Sequence, residues 1–221
     1  MLPKKGELMK MRRISRTGAR LAPRLRRLAT LAALPVLAGC VAPDMQSDAL
    51  NFLTPPPMRW DHRPEATHWT SSALVAVAQE GAVLANRVPA DITAWCPGYE
   101  DASLNERRAF WVGLMSALAK HESTWNPRAS GGGGRWIGLL QIAPGTARGH
   151  DCDARSAGAL KDGSANLTCA VAILSQDVAR DGLVAGNGKH GLGRDWAPFR
   201  ASGKRAEMAK WTSAQPYCQA G

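Results

Sequence analysis

The sequence lacks the residue patterns of two common kinds of catalytic site. No Cys-X-X-Cys pair and no close pair of histidines offers the ligand spacing of a zinc centre. His121-Glu122 begins like a zinc-protease motif, but that motif needs a second histidine at position 125, where Trp125 stands. No Gly-X-Ser-X-Gly motif is present to anchor a Ser-His-Asp triad. The sequence therefore predicts no metal site and no serine-hydrolase site.

Acidic side chains are scarce in the stretch HESTWNPRASGGGGRWIGLLQ, residues 121–141, where Glu122 is the only one. The next is Asp151. Glu122 falls at the end of a predicted helix, where backbone carbonyls disfavour negative charge, and Trp125 and Trp136 can exclude water from it. Both effects raise the pKa of a carboxyl group, and a carboxylic acid that stays protonated near neutral pH can act as a general acid. The alternative is an ordinary solvated glutamate at a helix end.

Positive charge is concentrated at the N-terminus. The chain of 221 residues has a formal net charge of +10, but residues 1–39 contain ten Lys and Arg and one Glu. Residues 40–221 contain 18 basic and 17 acidic side chains, a balance of +1. A nucleic-acid-binding domain carries its positive charge on the folded part of the chain, so we expect no nucleic-acid partner.

The apolar run LATLAALPVLAG, residues 28–39, follows the basic segment, as the core of a signal peptide does. It is shorter than the roughly 20 residues that span a bilayer as a helix. Its ending, VLAGC, resembles the lipobox of bacterial lipoproteins. That resemblance implies a signal peptide at 1–39, a lipid anchor on Cys40 and a periplasmic location, with Val41 favouring the outer membrane. The alternative is a plain secretory signal that is cleaved nearby.

Four cysteines remain after Cys40, and an even number in an exported chain predicts two disulfides. Three pairings are possible. We favour Cys152–Cys169, which closes a short loop, and Cys96–Cys218, which joins the start of the folded domain to its end. The alternative is four free, buried thiols.

Helical patterns dominate the chain after residue 70. We predict one mainly α globular domain at 70–221, behind a lipid-anchored, proline-rich tether at 40–69. Ser103-Leu-Asn-Glu106 matches a capping box, and apolar residues then recur at helical spacing as far as His121. A second strong pattern, SANLTCAVAILSQDVARDG, ends at Gly182, a residue suited to the left-handed conformation that closes many helices.

Two motifs, in this order, resemble the signature motifs of the SLT-type lytic transglycosylases, which have the goose-type lysozyme-like fold. The first is Glu122-Ser-Thr-Trp-Asn-Pro127 and the second is Gly138-Leu-Leu-Gln-Ile142. A third element, ANLTCAVAIL, matches a family helix with an asparagine near its start. The resemblance covers roughly residues 103–199. It implies a murein lytic transglycosylase whose partner is the glycan strand of peptidoglycan.

The resemblance also implies a mechanism that needs one carboxyl group, whereas most glycosidases use two. Glu122 would protonate the β-1,4 glycosidic oxygen between N-acetylmuramic acid and N-acetylglucosamine. The same group, now a base, would take the proton of the muramoyl 6-hydroxyl, which closes a 1,6-anhydro ring. No water is consumed, and no metal or other cofactor is required.

Four further residues are candidate substrate contacts by their position in the motifs. Ser123 would orient the acid or the sugar, with a backbone hydrogen bond as the alternative. Gln141 would bind polar groups of the substrate, with a capping role as the alternative, and Gly138 would allow a close backbone approach. Many family members carry a tyrosine after the third helix, but this region reads GLGRDWAPFR. We expect Trp196 to face the sugar there, with core packing as the alternative.

Two other functions are compatible with the sequence. A muramidase-type hydrolase would need a second carboxylate to activate water, and Asp151 and Asp153 are the nearest candidates along the chain. A non-catalytic peptidoglycan-binding lipoprotein would be favoured if Glu122 faced solvent or if the cleft were closed.

Overall fold

The computed structural model describes residues 55–219 of the chain. The predicted signal peptide, the lipidation site at Cys40 and most of the predicted tether lie outside these residues. None of the helices within residues 55–219 has the length and apolar character needed to cross a bilayer.

The described part of the chain is mainly helical, with one short antiparallel strand pair, as the sequence patterns predicted. In chain order its helices and strands are α1 (Ala66–Gln79), α2 (Ala82–Asn86), α3 (Leu104–Ser123), β1 (Ser130–Gly131), β2 (Trp136–Ile137), α4 (Pro144–Gly149), α5 (Gly163–Asp181), α6 (Ala197–Arg200) and α7 (Ser202–Ser213).

Helix α3 forms the centre of the core. Its residues from Ala109 to Ala119 are all buried, because α1 and α2 pack on it from one part of the chain and α6 and α7 from another. A helix that is covered on every side needs apolar or small residues all round, which this stretch supplies. The predicted capping box starts it: the Glu106 backbone N–H donates to Ser103 Oγ, and the Ser103 N–H donates to the Glu106 carboxylate at 2.8 Å.

Helix α5 packs along α1, and neighbouring residues in the sequence determine where it begins and ends. The Asp162 side chain caps the start by accepting from the Ala165 N–H at 2.9 Å. Gly182 closes the end in the left-handed region with φ of 66°, as predicted. At the helix start, a Cβ on Gly163 would lie 2.2 Å from Trp69 Nε1, so the absence of a side chain there lets α5 approach α1.

The packed part of the chain begins before the predicted boundary at residue 70, which falls inside α1. Met58, Trp60 and Trp69 are buried in the core. The Trp60 indole N–H donates to Thr70 Oγ1 at 2.9 Å, and its ring meets Trp69 edge to face. Residues 58–69, which were predicted to belong to the tether, are therefore part of the folded unit because their tryptophans complete its core.

Both favoured disulfides are present. Cys96–Cys218 joins the turn before α3 to the end of the described chain, and Cys152–Cys169 fastens the loop after α4 to α5. The first closes a loop that contains α3 to α7, whereas α1 and α2 precede it, and this closure restricts the unfolded chain.

Candidate active site

Glu122 is the penultimate residue of α3, and the backbone reverses immediately after it. Thr124 and Trp125 have φ of 51° and 56°, in the left-handed region that a β-branched residue such as threonine rarely adopts. The Trp125 N–H bonds to the Ala119 carbonyl at 3.2 Å, and its indole N–H bonds to the Ser116 carbonyl at 2.9 Å. This strained turn ends the helix at the point where Glu122 faces an open cavity.

The cavity has a volume of about 300 Å³, at the lower end of the usual range for small-molecule sites. Three parts of the chain line it: the end of α3, the segment 136–146, and α5 together with the segment 195–200. The side chains that bring polar or aromatic chemistry to it include Glu122, Trp136, Gln141, Asp195 and Arg200.

The electrostatics of Glu122 suit a general acid. Burial raises the pKa of its carboxyl from 4.5 to about 7, against the opposing attraction of Lys204 and Arg200. Burial acts because a carboxylate loses hydration when it leaves water, while a neutral carboxylic acid loses little. Near neutral pH a substantial fraction of Glu122 is therefore protonated and able to donate.

The second motif forms a tight turn, and its residues Gln141 and Ile142 line the cavity. Ile137 and Ile142 bridge each other in antiparallel fashion, and Gly138 between them has φ of +82°. Asn166, fully buried at the start of α5, donates to the carbonyls of Ile137 and Leu160 and accepts from the Leu140 N–H, each at 3.0 Å. The asparagine of the third element thus satisfies three backbone groups of its surroundings.

Gly138 does not line this cavity, and its predicted substrate contact stays a prediction. A Cβ at this position would lie 2.2 Å from the Leu160 carbonyl oxygen and 2.3 Å from Asn166 Nδ2. The close approach that requires glycine is therefore internal, between the motif turn and the start of α5.

Ser123 and Gln141 differ in what the structure assigns to them. Ser123 Oγ donates to the Ala119 carbonyl at 3.3 Å, and the residue is not part of the cavity wall, so it takes the backbone-bonding alternative. Gln141 does line the cavity, and its Nε2 donates to the Gly138 carbonyl at 2.8 Å. Gln141 thus lies in the cavity wall, where a substrate contact was predicted, and its amide also makes the backbone bond of the capping alternative.

Trp196 lies in the cavity wall but is only 4% exposed. Its indole N–H donates to the Leu140 carbonyl at 2.9 Å, so its polar atom is already satisfied within the protein. With so little exposed surface, its ring packs mainly in the core, as the alternative has it, and its contact with a sugar stays a prediction.

A second carboxyl group, Asp195, also lines the cavity, and the sequence analysis missed it. It is exposed and lies next to the buried Asp177 on α5. Burial, and then this neighbouring carboxyl, raise the pKa of Asp177 to about 7. Asp151 and Asp153, the candidates from the sequence, line a different cavity beside the Cys152–Cys169 disulfide.

The loop that carries Asp195 is held in place by the carboxylates of Asp181 and Asp91. Asp181 accepts two hydrogen bonds from Arg194, at 2.6 and 2.8 Å, and one from the Gly191 N–H. The Arg194 guanidinium holds the pKa of Asp181 well below its usual range. Asp91 accepts from three consecutive backbone N–H groups, those of residues 184–186. Asp195 therefore sits on a braced loop.

Within residues 55–219, no group of three or more His, Cys, Asp or Glu side chains is arranged to hold a metal ion. The cavity itself presents carboxyl groups, a guanidinium and aromatic side chains.

Comparison with known proteins assigns this arrangement to a class. The family model named Transglycosylase SLT domain matches residues 102–203, which contain Glu122, the motif turn and α5. These residues are similar to a transglycosylase SLT domain and have its lysozyme-like fold, and the match indicates transglycosylase-type activity on peptidoglycan.

The chain is also similar to solved structures of the protein Bd0314 DslA. The wild-type form 2 superposes with a TM-score of 0.68 at 26% sequence identity, covering 75% of this chain and 100% of that one. A glutamate-to-glutamine mutant of DslA gives 0.68 at 27% identity, covering 74% and 98% of the two chains. No curated protein matches the chain.

Proposed function

We propose that the protein is a murein lytic transglycosylase, which cleaves the β-1,4 bond between N-acetylmuramic acid and N-acetylglucosamine without water. The observation that carries this proposal is Glu122, a partly buried carboxyl group of raised pKa that faces an open cavity in an SLT domain. An open cavity with a poised acid also favours an enzyme over a non-catalytic wall-binding lipoprotein.

One carboxyl group is sufficient for the proposed reaction. Glu122 gives its proton to the glycosidic oxygen as the bond from that oxygen to the muramoyl C1 breaks, and the substrate's N-acetyl oxygen stabilises the cationic centre. The muramoyl O6 then bonds to C1, and its proton returns to Glu122. The attack is intramolecular, which raises the effective concentration of the hydroxyl. The acid is regenerated in each turnover, so a pKa near 7 suits both halves of the cycle.

A muramidase-type hydrolase is the second candidate, and Asp195 is the observation that favours it. Inverting glycosidases use a second carboxylate as the base that activates water, and Asp195 shares the cavity with Glu122. In a hydrolase of this kind, Asp195→Asn abolishes product formation. In the transglycosylase, the same variant still forms the anhydro product.

The proposed location is the periplasm, with a lipid on Cys40 that anchors the protein to the outer membrane. This proposal rests on the sequence VLAGC and on Val41. Cys40→Ala tests it. The variant should no longer incorporate labelled fatty acid and should be found in the soluble fraction rather than with the membranes. Incorporation that persists in the variant would contradict the proposal.

Digestion of purified peptidoglycan tests the activity. Mass spectrometry of the released muropeptides should show products one water lighter than reducing-end products. Glu122→Gln, which keeps the shape of the side chain but cannot donate this proton, should release none. Glu100→Gln is the matched control, because Glu100 is exposed and outside the cavity wall, and it should retain full activity. Reducing-end products would favour the hydrolase.

A further inference from the structure

Trp136 is an exposed aromatic side chain at the mouth of the active-site cavity. Of the described residues, three large hydrophobic side chains are exposed: Val75, Val88 and Trp136, the last at 44%. Trp136 alone of the three is aromatic and lines the cavity that contains Glu122. Leaving so large an apolar ring in water is unfavourable, so its exposure beside a catalytic carboxyl group points to a ligand contact.

The glycine run before Trp136 is shaped to receive its ring. Trp136 pairs with Gly131 in the β1–β2 register, and the chain turns through Gly132 with φ of +55°. A Cβ on Gly132 would lie 2.2 Å from Trp136 Cζ3, which means that the ring rests directly on the Gly132 backbone. Any side chain at position 132 would push the ring away. The run therefore does more than permit a turn, because it fixes where the indole lies.

The Arg135 guanidinium lies over the Trp136 ring, 5.4 Å from its centroid and within the roughly 6 Å of a cation–π contact. A ligand that stacks on this ring would replace the guanidinium. Arg135 is exposed, and its flexible side chain can move aside. Ile137, the next residue, is buried, so the strand holds the backbone of Trp136 firmly while its side chain faces outward.

We propose that Trp136 is a substrate-binding residue, on which a pyranose ring of a β-1,4-linked N-acetylhexosamine chain stacks beside Glu122. One face of such a sugar presents C–H groups, and these pack on the flat face of an indole while the hydroxyl and amide groups at the ring edge stay hydrated. Trp196, which is almost fully buried, offers much less of its ring for this contact. The identity of the sugar rests on the proposed function, whereas the stacking contact does not require that the bond be cut.

Binding of chitohexaose, a soluble β-1,4-linked N-acetylglucosamine hexamer, tests the proposal in a Glu122→Gln background, where turnover cannot interfere. Titration calorimetry of Trp136→Ala should show affinity weakened about tenfold or more, equivalent to about 1.4 kcal/mol. Trp136→Phe keeps an aromatic face and should bind within about threefold of the parent. Val88→Ala, which removes an exposed apolar side chain outside the cavity wall, should bind like the parent.

A pair of glycine substitutions separates ring placement from backbone strain. Gly132→Ala places a methyl group against the ring, whereas Gly133→Ala, also at positive φ, meets no atom within 4 Å. Both variants carry similar strain, so Gly132→Ala should weaken binding several-fold more than Gly133→Ala does. Circular dichroism and thermal melting of each variant confirm that the protein is folded.

Unchanged affinity in Trp136→Ala, or equal effects of the two glycine variants, would overturn the proposal, as would a parent that does not bind chitohexaose at all. Its failure is distinguishable from failure of the proposed function. Loss of binding in Trp136→Ala together with a wild-type protein that releases no peptidoglycan fragments would retain the contact and reject the activity. Anhydro products from the wild type, together with unchanged binding in Trp136→Ala, would support the activity and reject the stacking contact.

Discussion

The Glu207 carboxylate on α7 accepts a hydrogen bond from Nε2 of His121, the residue directly before Glu122, at 2.8 Å. It also accepts from Lys120 Nζ at 2.9 Å and from both terminal nitrogens of Arg59. The hydrogen bonds from Arg59, Lys120 and His121 hold the pKa of Glu207 well below its usual range. Arg59 and Glu207 lie on either side of the matched SLT region, so segments outside that region brace the last turn of α3.

We predict that Glu207→Gln destabilises the protein and lowers its activity. The ion pairs are partly solvent-exposed, so the loss at neutral pH should be about 1–2 kcal/mol. A lowered pKa means that the carboxylate stabilises the fold above its unfolded pKa, and that this contribution disappears as the pH falls. The difference from wild type, measured by urea unfolding, should therefore narrow below about pH 4.

Measurements of kcat and KM distinguish a role of Glu207 in positioning Glu122 from a general effect on stability. Glu207→Gln should lower kcat several-fold with little change in KM, because the acid is misplaced while the cavity remains. Glu100→Gln is the control for removing an acidic side chain, and neither its stability nor its activity should change. A Glu207→Gln protein that is destabilised equally at acidic and neutral pH would rule out the ionic bracing.

The pH dependence of activity should report the surroundings of Glu122. Its role as acid requires the proton, so the rate should fall as the pH rises above about 7. Lys204 lowers the pKa of Glu122, so Lys204→Gln should move this alkaline limb to higher pH, by roughly a few tenths of a unit. Lys210→Gln, an exposed lysine of the same helix, is the matched control. A limb that moves equally in both variants, or downward in Lys204→Gln, would contradict the assignment.

Glu122 should itself make the fold less stable at higher pH. Because its folded pKa is raised from 4.5 to about 7, the folded protein binds more protons than the unfolded chain in this window, and stability falls as the pH rises through it. Glu122→Gln removes this dependence. Its stability relative to wild type should therefore be greater at about pH 8 than at about pH 4, by of order 1–3 kcal/mol in chemical denaturation. A difference that does not vary with pH would show that the carboxyl group is not perturbed.

We predict that Asn166 stabilises the turn formed by the second motif, residues 138–142. Asn166→Ala leaves the Leu140 N–H and the carbonyls of Ile137 and Leu160 without their buried partner, at an expected cost of about 2–4 kcal/mol. Thermal or urea unfolding measures this, with Asn187→Ala as the exposed control, expected within about 0.5 kcal/mol of wild type. Equal stability of the two variants would show that water replaces the amide at position 166.

Features governed by neighbouring residues could be predicted from the sequence. The capping box at Ser103 depends on residues three apart, and the left-handed Gly182 depends on the helix it closes, so both were readable. Glu122 was found because its motif and the helix end occur in one stretch. The disulfide pairing agreed with the structure because loop length and domain closure limited the options.

Features that depend on tertiary contact could not be predicted in the same way. Asp195 reaches the cavity only because Asp181 and Asp91 fold the loop after α5 back, and no local pattern indicates this. The choice between Trp136 and Trp196 as the exposed ring depends on which indole finds a buried acceptor, here the Leu140 carbonyl for Trp196. Similarly, the close contacts of Gly138 with Leu160 and Asn166 could not be predicted, because both residues follow more than twenty residues later.

Digestion of peptidoglycan in water enriched in heavy oxygen tests the central claim most directly. In the proposed reaction the muramoyl 6-hydroxyl, not water, closes on C1, so the new muramoyl ends should carry no label and should be anhydro. Wild type and Asp195→Asn should give the same unlabelled product, and Glu122→Gln should give none. Incorporation of one labelled oxygen at each new reducing end, lost in Asp195→Asn, would contradict the account and identify a hydrolase.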